Sequence, residues 1–137
     1  MEVLTLETPA GGIHAVRWRP ETPSAAQSPI VLLHDSLGCV ALWRGFPERL
    51  AEATGREVIA YDRLGFGRSA PYPGQLPTTF IADEARTTFA ALREALGLER
   101  FVLLGHSVGG GMAIEAAGQY ADGCEALITV AAQAYME

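Results

Sequence analysis

Four short, continuous apolar runs, separated by stretches with helical spacing, constrain this chain more than any other feature. They are Ile30-Val31-Leu32-Leu33, Val58-Ile59-Ala60-Tyr61, Phe101-Val102-Leu103-Leu104 and Leu127-Ile128-Thr129-Val130. None alternates with polar residues, which is the pattern of strands buried on both faces of a parallel sheet. Between the first two runs, Trp43, Phe46 and Leu50 fall at helical spacing, and Gly55 follows as a stop. Ile81, Ala85, Phe89, Leu92 and Leu96 form a longer stripe, which predicts one helix ended by Gly97. Thr78 or Thr79 is its candidate cap, and Asp83 and Glu84 favour its first turn. Val108 to Tyr120 is small and apolar and reads as a buried helix. At the amino end, Glu2–Glu7 alternates apolar with polar residues and Ile13–Trp18 does so less cleanly, with Gly11-Gly12 between. This predicts an antiparallel hairpin. The whole pattern predicts an α/β fold: a three-layer α/β/α sandwich with a mostly parallel sheet behind an antiparallel N-terminal hairpin. Pro20 to Pro29 reads as a surface loop, so residues 1–137 form a single domain.

One motif carries chemistry. Gly105-His106-Ser107-Val108-Gly109 directly follows a buried strand and directly precedes a helix. G-x-S-x-G alone is a modest signal, and the strand–turn–helix setting is its proper test. On such a turn the serine is strained and exposed, and Gly105 and Gly109 remove side chains that would collide across it. The following helix aims its first N–H groups at the site, where developing negative charge is stabilised. The Val108 N–H is placed to be one such donor. Two further loops follow earlier strands: His34-Asp35-Ser36-Leu37-Gly38, and Asp62-Arg63-Leu64-Gly65-Phe66-Gly67-Arg68-Ser69, a D-x-x-G-x-G-x-S sequence.

The order and spacing of these three features resemble the α/β-hydrolase superfamily, closest to its esterase, haloperoxidase and ring-cleavage-product hydrolase type. The resemblance covers essentially the whole chain, which supplies about the first six strands of the family's longer sheet. It implies a serine hydrolase with Ser107 as nucleophile and Val108 and Ser36 as oxyanion donors. It also implies an elbow built from Gly105, His106 and Gly109, with His34 holding the oxyanion loop. The family usually has Gly where this chain has Asp35, which puts a carboxylate beside that loop. Asp62 is a loop-organising residue on this resemblance, although a carboxylate there also suggests a triad acid.

The family's triad runs serine, then acid, then histidine. No histidine follows Ser107, and the later acids are Glu115, Asp122, Glu125 and Glu137. The acid and histidine are therefore expected beyond the sixth strand, and the domain is expected to be incomplete at its carboxyl end. His14, His34 and His106 are expected to be structural, because a base must reach the nucleophile within hydrogen-bond distance. Trp43 and Phe46 are expected in helix core, Met112 as a gap-filler, Leu64 and Phe66 as loop packing outside the pocket, and Arg63 and Arg68 as solvated or salt-linked surface charges.

The net charge of −6 argues against nucleic acid and anionic membrane surfaces as partners. No apolar run approaches the roughly 18 residues of a membrane span, and the acidic start lacks a signal-peptide pattern, so a cytoplasmic location is expected. Cys39 and Cys124 match no metal spacing, the three histidines form no ligand cluster, and neither metal nor cofactor is expected. Three functions stay open: a serine hydrolase acting on a small ester-like substrate, a hydrolase completed by a second copy or another chain through the edge strand Leu127–Val130, and a non-catalytic interaction protein that keeps the fold. An aspartate nucleophile would mark the halogenated-substrate branches, which Ser107 disfavours.

Overall fold

Alternate side chains of the central strands enter two separate cores. In this computed structural model, which describes residues 1–24 and 27–133, the elements are β1 (Glu2–Thr8), β2 (Gly11–Trp18), β3 (Ile30–Leu33), α1 (Phe46–Thr54), β4 (Val58–Tyr61), α2 (Phe80–Asp83), α3 (Thr88–Leu96), β5 (Phe101–His106), α4 (Val108–Gln119) and β6 (Cys124–Val130). Val31, Leu33, Ile59, Tyr61, Phe101 and Leu103 face one core with α3 and α4. Ile30, Leu32, Val58, Ala60, Val102 and Leu104 face the other with Ala51 of α1. This double burial is why β3, β4 and β5 read as unbroken apolar runs. Ala25, Ala26 and Glu137 lie outside the described residues.

The six strands are ordered β1-β2-β4-β3-β5-β6. β1 pairs with β2 and β2 with β4 in antiparallel fashion, and the other pairs are parallel. The result is the expected three-layer sandwich with its N-terminal hairpin.

Several local expectations are corrected. The hairpin turns at Pro9–Ala10, because Gly11 and Gly12 already pair with Thr8 and Glu7. Trp43 closes a 3₁₀ turn (Val40–Trp43) and is separated from α1 by Arg44 at φ 54°. Phe46 is exposed and stacks on Trp43 with ring centroids 5.8 Å apart, so it is not core. The stripe from Ile81 to Leu96 is not one helix: α2 and α3 are separated at Glu84–Thr87. There the Glu84 carboxyl turns inward and accepts the Tyr61 hydroxyl at 2.8 Å, both groups being buried. Thr79 precedes α2, but its hydroxyl donates to the Asp83 carboxylate at 2.7 Å and makes no side-chain cap. The run Leu127–Val130 is a strand, yet it is exposed along its length, because β6 is the sheet's last strand and no helix among the described residues covers its outer side.

Candidate active site

Ser107 sits where β5 becomes α4, at the carboxyl end of a strand flanked by β3 and β6. It adopts φ 56° and ψ −118°, which costs a non-glycine residue about 1–3 kcal/mol. Backbone contacts hold it there. Its N–H donates to the Val130 carbonyl at 2.9 Å, and its own carbonyl accepts the N–H groups of Gly110 at 2.9 Å and Gln133 at 2.8 Å. The segment leaving β6 therefore clamps the turn from one side.

Glycine makes the other side possible. A side chain at Gly105 would overlap the Gly109 carbonyl, and one at Gly109 would overlap the carbonyl oxygens of Leu33 and His34. The turn is thus pressed against the end of β3. Val108 opens α4; among the described residues nothing accepts the N–H groups of Val108 and Gly109, and the Ser107 hydroxyl caps neither. The hydroxyl and the first α4 amides are left to act on something outside the helix.

The loop after β3 is held by a closed set of polar contacts. His34 is buried, its Nδ1 lies 2.8 Å from the Asp35 carbonyl, and its Nε2 accepts the Arg63 N–H at 3.1 Å. These partners define a neutral imidazole with the proton on Nδ1. Burial, with the Arg63 charge nearby, pushes its pKa down to about 4. Both ring nitrogens are occupied, so His34 has none left to serve as a base. Asp62 is buried and accepts the N–H groups of Val40 at 2.6 Å and Arg68 at 2.8 Å, while its carbonyl accepts the Ser69 hydroxyl at 2.6 Å. It ties the loop after β3 to the loop after β4.

Arg63 overturns its expectation as a surface charge. It is 4% exposed, and its guanidinium donates to the His34 carbonyl and, at 2.7 Å, to the Asp35 carbonyl. Phe66 covers it with the ring centroid 5.2 Å away and meets the His34 ring edge-on at 5.3 Å. Leu64, Phe66 and Met112 also line a cavity of about 190 Å³ beside α2, which the reading of this loop as plain packing did not anticipate.

His106 is half exposed, and its Nδ1 lies 4.0 Å from the Asp35 carboxylate, too far for a hydrogen bond. Ser36 is exposed at the loop's tip, and no acceptor among the described residues takes its N–H. His14 lies on β2, its N–H donating to Ser69. Of the later acids, Glu125 is bound by Arg100 at 2.7 Å and Ser28 at 2.9 Å, which hold its pKa low. Glu115 and Asp122 are exposed on α4 and just after it. The structure thus brings the turn at Ser107 against the loop carrying His34, but among the described residues it joins no histidine or acid to the Ser107 hydroxyl. Among those residues, no three His, Cys, Asp or Glu side chains are grouped to hold a metal. Nor is any helix long and apolar enough to cross a membrane.

The family model described as the alpha/beta hydrolase fold matches residues 28–137. The chain belongs to this family. A curated α/β-hydrolase relative, the proline iminopeptidase of Lactobacillus delbrueckii subsp. lactis, is 36% identical over 88 residues, 64% of this chain and 30% of that protein. The (lyso)-N-acylphosphatidylethanolamine lipase of Bos taurus is 35% identical over 104 residues, 76% of this chain and 30% of that protein. Among solved α/β-hydrolase structures, proline iminopeptidase of Mycobacterium smegmatis superposes with a TM-score of 0.77 at 29% identity, covering 92% of this chain and 42% of that one. The chain therefore spans about 30% to 38% of the length of the curated relatives it matches.

Proposed function

We propose that this protein is a serine hydrolase that cleaves an ester or related acyl bond, with Ser107 as nucleophile. The observation that carries this reading is Ser107 itself: a non-glycine residue at φ 56°, held between β5 and the first amides of α4 with its hydroxyl unused by the helix. Ser107 Oγ attacks the substrate carbonyl carbon, and a histidine takes the hydroxyl proton. The carbonyl oxygen becomes an oxyanion that accepts the N–H groups of Val108 and Ser36. The tetrahedral intermediate collapses to an acyl-enzyme, the leaving group takes the proton from the histidine, and water repeats the sequence to release the acid. The peptidase and lipase relatives support an acyl bond as the target.

The base and its orienting acid are assigned to polypeptide outside this chain, since His34 has both nitrogens occupied and no hydrogen bond joins His106 to Ser107. The edge strand β6, on which Leu127, Ile128 and Val130 are all exposed, supports a domain completed by further strands. Continuing chain, a second copy or another polypeptide would supply them, and without them this chain turns over weakly or not at all. The acidic net charge supports a small-molecule substrate over nucleic acid or membrane, and the two free thiols support a cytoplasmic location. A non-catalytic role is disfavoured, because strain at Ser107 is costly to keep without use.

The test is hydrolysis of p-nitrophenyl esters by the full-length protein and its Ser107→Ala variant. Loss of turnover in a folded variant is expected. Turnover retained by Ser107→Ala would sink the reading.

A further inference from the structure

The loop that faces Ser107 is gripped from behind by one buried cation. The Arg63 guanidinium donates to two successive carbonyls, those of His34 and Asp35. Among the described residues it forms no ion pair there; the buried Glu84 carboxyl and the Asp35 carboxylate act on it only at longer range, and Glu84's acceptor contact is with Tyr61. Burying a guanidinium is costly unless its hydrogen bonds are made, so this placement has to be held by those two carbonyls. The same two peptides receive the other fixed contacts of the site. Gly109 of the elbow packs against the Leu33 carbonyl and, next to it, against the His34 carbonyl. The Asp35 carbonyl also lies 2.8 Å from His34 Nδ1, and the His34 ring is itself fixed by the Arg63 N–H.

Peptide geometry turns this grip into a direction. A peptide is planar and trans, so its N–H points opposite to its C=O. The C=O of Asp35 and the N–H of Ser36 belong to one peptide. Holding that carbonyl toward Arg63 and His34 aims the Ser36 N–H the other way, and no acceptor among the described residues takes it. The Ser36 side chain has no part in this.

We infer that Arg63 is a positioning residue for hydrolysis, fixing the His34 and Asp35 carbonyls so that the Ser36 N–H is preorganised as the second oxyanion donor. This rests on the serine-hydrolase reading above. Arg63 touches no reacting atom and acts through the loop. Its effect belongs to the transition state, where the oxyanion forms, and only weakly to ground-state binding. A lysine would not replace it, because a single ammonium lacks the planar fork that reaches two carbonyls at once.

The experiment compares the full-length protein with Arg63→Met, Arg63→Lys and Ser107→Ala, measuring kcat and KM for a p-nitrophenyl ester. It also measures the affinity of an alkyl boronic acid, which forms a tetrahedral adduct on a serine. For folded Arg63→Met, kcat falls about 30- to 100-fold with KM within about threefold, since loss or misplacement of a single donor costs on that scale. Boronic acid affinity falls by a similar factor, a pairing that a purely structural role would not produce. Arg63→Lys lowers kcat about tenfold, again with little change in KM. A folded Arg63→Met with kcat within twofold of the parent overturns the assignment. If Arg63→Met fails to fold, Arg63→Lys decides on the same criterion. Turnover retained by Ser107→Ala would remove the reading on which the assignment rests, whereas an inactive Ser107→Ala beside a parent-like Arg63 variant removes the assignment alone.

Discussion

The backbone of Gly109 lies directly against the carbonyl of Leu33, leaving no room for a side chain between the first turn of α4 and the end of β3. Gly109→Ala should therefore destabilise the fold by about 2 kcal/mol or more, because backbone on both sides cannot give way. Gly118, near the end of the same helix, is the contrast: a methyl group added there would meet open space, with nothing within 4 Å. Gly118→Ala should stabilise by about 0.5 kcal/mol through helix propensity alone. Denaturant titration of the two variants checks both signs, and a neutral Gly109→Ala would contradict the tight contact.

Asp62 carries a structural load that can be measured separately. Asp62→Ala leaves the Val40 and Arg68 N–H groups without their acceptor and should cost roughly 3 kcal/mol. Asp62→Asn keeps one acceptor oxygen and should cost about half of that. Thermal melts of both variants test the order. If Asp62 were instead the triad acid, both variants would keep parent-like melting and lose turnover.

His34 predicts a pH dependence of stability. Its ring is held near pKa 4 in the fold against 6.5 for the ordinary group, chiefly by burial. Between these values the unfolded chain takes up a proton that the folded chain refuses. Stability is therefore fully present above about pH 6.5 and falls as the pH drops toward 4, by at most about 1.4 kcal/mol per pH unit. Glu84, whose carboxyl is raised above 4.5 by burial, works in the opposite sense, losing stability as the pH rises above that value. The His34 contribution is accordingly read as the difference between parent and His34→Gln melts from pH 4 to 7. That difference should slope with pH, and a flat one would contradict a buried neutral imidazole.

Much of this was legible in the residues, and the failures share a cause. β3, β4 and β5 were visible because burial on two faces leaves no polar residue in the run. The strand–turn–helix at Ser107 was visible because its glycines and serine fall in a fixed local spacing between an apolar run and a helical pattern. Arg63 was not. Its neighbours Asp62, Gly65 and Gly67 mark a loop, and a loop arginine reads as solvated until the chain returns β4 beside β3 and delivers it to the His34 and Asp35 carbonyls. The break between α2 and α3 was hidden for the same reason. Glu84 fits a helical stripe, and only the distant Tyr61 hydroxyl reveals why the chain turns its carboxyl inward.

The open sheet edge predicts association of the 137-residue chain in solution. Ile128 and Val130 on β6 are 46% and 51% exposed. Light scattering at high concentration should give a mass above that of the monomer, and Ile128→Lys should reduce it by charging the edge. A monodisperse monomeric parent would contradict the proposal that this edge is completed by other strands.

The central claim is that Ser107 is a nucleophile, and fluorophosphonate labelling of the full-length protein tests it most directly, with the adduct located by mass spectrometry. The account predicts an adduct on the peptide containing Ser107 and none in a Ser107→Ala variant that keeps the parent melting transition. Equal labelling of that variant, or no labelling of the folded full-length parent, would contradict it.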